Sequence, residues 1–169
     1  MATTTTTRQS LYSSRIDLSE DIRSAVVDIL NVTLAATVDL KTQTKQAHWN
    51  VKGIDFYQLH ELFDEMASEL EEYVDMVAER VTALGAIAYG TARIAASKSL
   101  LEEYPLDAVS GEAHLRALAD QFARYGQHVR EAIAKTDGLG DSDTADLYTE
   151  ISRTIDKRLW FLEAHLVGE

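Results

Sequence analysis

Apolar residues recur along most of the chain with the three-to-four-residue step of a helix. Ile22, Val26, Ile29, Ala36 and Leu40 form a first stripe. Ser19 stands ahead of it as an N-cap, with Glu20 and Asp21 suited to the positive end of a helix. The spacing predicts a first helix to about Gln46 and then a turn at Lys52-Gly53. A second stripe runs through Leu59, Leu62, Phe63, Met66, Leu70, Tyr73, Val77, Val81 and Leu84, stopped by Gly85. Tyr57 to Leu84 as one helix would be about 42 Å long. A shorter helical signal covers residues 91–101, and Pro105 marks a loop. Leu115, Leu118, Phe122, Tyr125, Val129 and Ile133 make a third long stripe, broken by Asp137-Gly138-Leu139-Gly140. Leu147, Ile151, Ile155, Leu159, Leu162 and Leu166 make a fourth, with Asp141, Ser142 or Asp143 as its cap.

No window alternates with the period of a strand, so the expected class is all-α. Four long helices, with a short extra helix in the connection from second to third, read as a four-helix bundle. That connection, residues 86–110, is long enough to cross the bundle, which makes the second and third long helices parallel. The length of 169 residues suits one domain, placed at 18–169 behind an N-terminal arm at 1–17. Residues 1–16 are rich in threonine and serine, hold no acid, and carry only Arg8 and Arg15 as charged side chains. They read as a flexible or peripheral arm.

Composition narrows the chemistry. The absence of cysteine excludes a disulfide framework, a zinc–thiolate site and a thiol nucleophile. Acids outnumber bases 28 to 16, for a formal charge of −12. That balance argues against a surface built to grip phosphates and leaves room for one that attracts cations. No apolar run approaches the roughly 20 residues of a membrane span, and MATTTTTRQS lacks the apolar centre of a signal peptide. The cytoplasm is the expected compartment, with no membrane partner.

The second helix carries Glu61, Asp64, Glu65, Glu69, Glu71, Glu72, Asp75 and Glu79. A solvated face accounts for most acidic helices. Here, however, His60, Asp64, Asp75 and Glu79 fall within an arc of about 100°. Imidazole and carboxylates together form a ligand set for iron, zinc or manganese. One chain cannot close such a site, because Asp64 and Glu79 stand about 22 Å apart along a helix. His60 and Glu79 lie equally far from the midpoint between residues 69 and 70, and so do Asp64 and Asp75. Two copies crossing antiparallel there would set His60 against the partner's Glu79, and Asp64 against the partner's Asp75. Two equivalent, shared sites would result, in keeping with the commonest dimer symmetry. The Glu-x-x-His motif of single-bundle di-iron proteins does not occur in the sequence.

The string Lys45-Gln-Ala-His48-Trp49-Asn50-Val51, then His60-x-x-x-Asp64 and Asp75-x-x-x-Glu79, resembles the Dps family, small prokaryotic relatives of ferritin. The runs Asp143-Thr-Ala-Asp146 and Ile155-Asp156-Lys157-Arg158-Leu159-Trp160-Phe161-Leu162-Glu163 are similar to the same family. The likeness covers roughly residues 19–166, everything except the arm.

The resemblance implies a ferritin-like fold and a ferroxidase centre at a two-fold interface. His48, His60 and Asp64 match the catalytic metal ligands given by one subunit; Asp75 and Glu79 match those given by the partner. The implied reaction oxidises Fe(II) to Fe(III), with hydrogen peroxide preferred over dioxygen, and zinc could compete for the same ligands. Ferric mineral would collect inside a hollow homo-oligomer of twelve subunits, giving protection from oxidative stress. Trp49 has two readings, an aromatic that intercepts a stray oxidising equivalent or an interface packing residue. Zero cysteines and three methionines suit a protein that meets peroxide.

Asp143 and Asp146 match the family's pore carboxylates, with Asp141 as a third; such rings concentrate cations. Capping of the fourth long helix is the alternative role, and the two are compatible. His114, His128 and His165 read as structural, and Lys45 as orienting the helix end or pairing with an acid.

Family members that coat DNA use a lysine-rich tail. Residues 1–16 hold no lysine, and the sequence closes in Val167-Gly168-Glu169. Arg8 and Arg15 offer only weak phosphate contact against the acidity of twelve subunits. A nucleoid protein that shields DNA by covering it is the alternative function, and an inert structural bundle with an acidic face a third. Plasmid should pass a gel-shift assay nearly unretarded at neutral pH and physiological salt. Tight, salt-sensitive retention would overturn that expectation.

Overall fold

The computed structural model describes residues 11–167. It contains α1 (Glu20–Asn50), α2 (Phe56–Ala83), α3 (Ala92–Lys98), α4 (Gly111–Gly138) and α5 (Ser142–Ala164). Ser19, Thr91, Ser110 and Asp141 each accept a backbone N–H with the side chain and so cap α1, α3, α4 and α5. Among the described residues there is no strand, only an isolated bridge between Lys52 and Ser110.

α1 runs four residues beyond Gln46. The Val51 N–H still donates to the Ala47 carbonyl at 2.9 Å, and only at Lys52 does the chain turn away to the Val109 carbonyl, at 3.0 Å. His48 and Trp49 therefore ride on the last turn of a helix. α3 is shorter than its signal, because Ser99 Oγ accepts the Leu101 N–H at 3.1 Å and turns the chain.

Long-range side-chain pairs set the direction of each helix. Thr37 meets Tyr125 and Thr33 meets His128, so α1 and α4 are antiparallel. Tyr73 meets Thr154 and Glu69 meets Arg158, so α2 and α5 are antiparallel. The short α4–α5 turn and the Arg130–Asp156 pair make those two antiparallel as well. α2 and α4 consequently run parallel, as the long crossover requires. Two glutamines pin that crossover: Gln43 Nε2 donates to the Glu102 carbonyl at 2.9 Å, and Gln121 Oε1 accepts the Glu102 N–H at 3.1 Å.

Leu30, Leu34, Leu40, Phe63, Met66, Leu70, Leu118, Phe122 and Ile151 are buried in one continuous core. Each contributes about 1.5–3 kcal/mol of transfer free energy. Polar groups inside the bundle answer one another. Thr33 Oγ1 lies 2.7 Å from Tyr148 Oη and 2.8 Å from His128 Nε2. Thr37 Oγ1 lies 2.7 Å from Tyr125 Oη. Tyrosine and threonine thus occupy the interior where single-bundle di-iron proteins place inward glutamate and histidine.

Of the arm at 1–17, residues 1–10, with Arg8, lie outside the described residues. Residues 11–17 lie against the bundle, with Leu11 and Ile16 packed on the core and Arg15 exposed. The Tyr12 N–H donates to the Gly85 carbonyl at 2.7 Å. Arg23 Nη1 donates to the carbonyls of Leu84, at 2.7 Å, and Tyr12, at 3.3 Å.

Gly85 stops α2 with φ at +89°, and a Cβ there would sit 2.6 Å from the Tyr12 carbonyl oxygen. Gly85→Ala should cost at least about 1–3 kcal/mol from the backbone conformation alone. A urea melt would register this as a lower midpoint.

Two histidines make stability depend on pH. His114 is 1% exposed, with Nδ1 sharing a 2.6 Å hydrogen bond with Tyr104 Oη. Burial pushes the pKa of both His114 and His128 below the ordinary 6.5. The unfolded chain then binds protons that the folded chain refuses. Stability is fully present above about pH 6.5 and declines as pH falls below it. Calorimetric melting temperatures should drop between pH 6.5 and 5, with a shallower slope in His114→Gln.

Candidate metal centre

α2 divides its residues between two faces. Leu59, Phe63, Met66, Leu70, Tyr73, Val77 and Val81 are buried. Opposite them, Ser68, Glu71, Glu72, Asp75 and Glu79 are exposed. The end of α1 packs against the start of α2, and there the sequence-predicted ligands begin to converge.

His48 and His60 lock each other in place. His48 Nδ1–H donates to the His60 carbonyl at 2.7 Å, and His60 Nδ1–H donates to the His48 carbonyl at 2.9 Å. The rings stack, with centroids 3.8 Å apart and planes 21° from parallel. A carbonyl only accepts, so both Nδ1 atoms carry the proton. In the neutral ring, Nε2 is left with a free lone pair, which is the arrangement a metal-ligating histidine needs.

His48 Nε2 lies 3.9 Å from Asp64 Oδ1. Two metal–ligand bonds of about 2.0–2.2 Å can span that gap. Lys45 Nζ stands 2.5 Å from the same oxygen, and its hydrogen bond holds the Asp64 carboxyl below the usual carboxylate range. His48 and His60 push in the same direction. Lys45 therefore pairs with an acid, one of the two roles expected of it, and also lies 5.9 Å from the centre of the Trp49 ring.

The structure brings His48, His60 and Asp64 together and leaves Asp75 and Glu79 apart, exposed and further along α2. Among the described residues, no three histidine, aspartate or glutamate side chains are placed to hold an ion within one chain. Trp49 is 65% exposed beside the site, with Ile54 at 96% and Phe56 and Tyr57 also open on the adjoining turn.

At the start of α5, Asp143 and Asp146 are exposed. Asp141 departs from the expected entrance role. It is 2% exposed and accepts Arg80 Nη2 at 2.7 Å and the Thr144 backbone N–H at 3.1 Å, both on Oδ1. Its Oδ2 accepts the Thr144 hydroxyl at 2.5 Å. Capping and a buried ion pair use both oxygens of Asp141. His165 Nδ1–H donates to its own helix, at the Phe161 carbonyl.

The sequence pattern assigned no role to Arg80 or Arg158. Arg158, 6% exposed, binds Glu69 with Nε and Nη2, each at 2.7 Å, and reaches Glu65. This holds the Glu69 carboxyl low. The available signal was a cation standing among acids on an otherwise amphipathic helix.

The ferritin-like domain family matches residues 27–168. The DNA protection during starvation protein of Agrobacterium fabrum is 42% identical over 155 residues, covering 92% of this chain and 96% of that protein. That of Mycolicibacterium smegmatis is 32% identical over 149 residues, covering 88% and 81%. Among solved structures, DpsC from Streptomyces coelicolor superposes with a TM-score of 0.90 at 34% identity, covering 95% of this chain and 94% of that one. The Dps protein of Vibrio cholerae, described as one of a broad superfamily of ferritin-like diiron-carboxylate proteins, superposes at 0.86 with 25% identity, covering 93% and 98%. The fold is thus an all-α ferritin-like bundle. Within that class, the chain belongs to the Dps family.

Proposed function

We propose that the protein oxidises Fe(II) and stores the Fe(III) product, at centres shared between two copies of the chain. The observation that carries this is the reciprocal His48–His60 lock beside Asp64. Two imidazoles with free Nε2 atoms and one carboxylate make half a ligand set, and among the described residues no three such side chains of one chain are placed to hold an ion. The partner subunit's Asp75 and the partner subunit's Glu79 would complete it. The exposed Trp49, Ile54, Phe56 and Tyr57 supply the apolar area that such a contact would cover.

The residues divide the work. His48 and His60 offer neutral nitrogen, which suits Fe(II), while the carboxylates favour the more highly charged Fe(III). Lys45 keeps Asp64 ionised until a cation arrives. Hydrogen peroxide is the oxidant in this reading: one peroxide takes one electron from each of two Fe(II) ions, and with two protons yields two waters. The two-electron step avoids hydroxyl radical. Trp49, open at the site's edge, would be covered as an interface packing residue. Asp143 and Asp146 would draw cations inward, and a hollow shell of twelve subunits would hold the mineral.

The diiron-carboxylate description of the Vibrio cholerae relative supports iron as the substrate. No helix of the described residues is long and apolar enough to cross a membrane. A cytoplasmic setting, zinc as competitor and weak DNA contact through Arg8 and Arg15 complete the reading.

Fe(II) added anaerobically, followed by peroxide, should develop ferric absorbance at least about tenfold more slowly in the variant carrying His48→Ala and His60→Ala, at unchanged assembly size. Equal rates would overturn the site. Asp75→Ala should impair oxidation although that residue lies away from the His48–His60 pair; full activity in pure Asp75→Ala assemblies would count against a shared site.

A further inference from the structure

The polar contacts between α2 and α5 fall at three levels. Glu69 binds Arg158, Tyr73 Oη donates to Thr154 Oγ1 at 2.8 Å, and Arg80 binds the start of α5. The last of these is the most closed. Arg80 Nε donates to Thr144 Oγ1 at 2.8 Å while Nη2 donates to Asp141 Oδ1 at 2.7 Å. Thr144 in turn donates its hydroxyl and its backbone N–H to the same aspartate. Asp141 is buried, so the guanidinium has one place to go.

Arg80 directly follows Glu79 and lies in the last turn of α2. The next turn is gripped from the other side, where Arg23 Nη1 donates to the Leu84 carbonyl at 2.7 Å. Rotation or sliding of this helix end would break the Arg80 bonds. It would also swing the exposed Glu79 carboxylate, which has no side-chain contact of its own among those described to hold it.

From this geometry we infer that Arg80 is a positioning residue for Glu79, anchored on the Asp141–Thr144 cap of α5. The inference rests on the shared-site reading above. The Glu79 half of each centre is fixed by a side chain that touches no metal, and the cap next to the exposed Asp143 is tied to that half through the same guanidinium. An ammonium can donate to Thr144 and Asp141 but lacks the rigid planar fork that fixes the direction of both bonds, so even a charge-preserving change should loosen the carboxylate.

Co(II) binding, read anaerobically from visible d–d absorbance, tests this without any oxidation. Arg80→Lys should raise the Co(II) dissociation constant by about tenfold, within the range of outer-shell changes, at native assembly size. Arg80→Met combined with Asp141→Asn avoids a stranded buried charge and should weaken binding further. Arg80→Lys assemblies with a lowered melting temperature but native Co(II) affinity would overturn the inference and leave the site intact. Co(II) absorbance that survives His48→Ala unchanged would overturn the site, and this inference with it.

Discussion

A straight helix cannot bring together residues four turns apart, and α2 is one unbroken helix of 28 residues. Asp64 and Glu79 stay about 22 Å apart whatever else the chain does. Everything around α2 follows from that rigidity. Its apolar face is committed to the core, so the acids must look outward. Its N-terminal half gains two histidines with help from α1. Its C-terminal half offers carboxylates that find no imidazole in the same chain. That separation of imidazole from carboxylate is the geometric consequence of placing His60, Asp64, Asp75 and Glu79 on one rod.

The bundle interior supports the same division. Thr33, Thr37, Tyr125, Tyr148 and His128 satisfy one another inside the bundle. Burying a phenol without a partner would cost about 1–3 kcal/mol, so these hydroxyls specify how the helices meet. They also fill the space that a di-iron centre would need. With no acid in that network, an interior ion would have no anionic ligand there.

That face is steadied by arginine. Arg158 ties the middle of α2 to α5, Arg80 ties its last turn to the start of α5, and Arg23 holds the carbonyl at its stop. Each guanidinium is largely withdrawn from water and answered by carboxylate, hydroxyl or carbonyl, an arrangement costly to break from one side. The acidity of α2 therefore splits into acids that hold the fold, such as Glu69, and acids left open, such as Asp75 and Glu79. Composition counts both kinds alike.

The sequence by itself determined the four long stripes, the crossover and hence the helix directions. It also determined the residue types that could bind a cation, because periodicity records which face of a helix is buried and side-chain chemistry does not depend on the fold. His60, Asp64, Asp75 and Glu79 were legible as one face of one helix for that reason. The tertiary structure alone decided that His48 and His60 each donate Nδ1–H to the other's backbone carbonyl, that α1 extends to carry His48, and that Lys45 sits on Asp64. It also turned Asp141 from a candidate entrance carboxylate into a buried cap. These outcomes depend on pairs between 3 and 61 positions apart, such as Asp141–Thr144 and Arg80–Asp141. Helical periodicity fixes a residue's angle around its own axis, but says nothing of which side chain from another helix arrives at the same height.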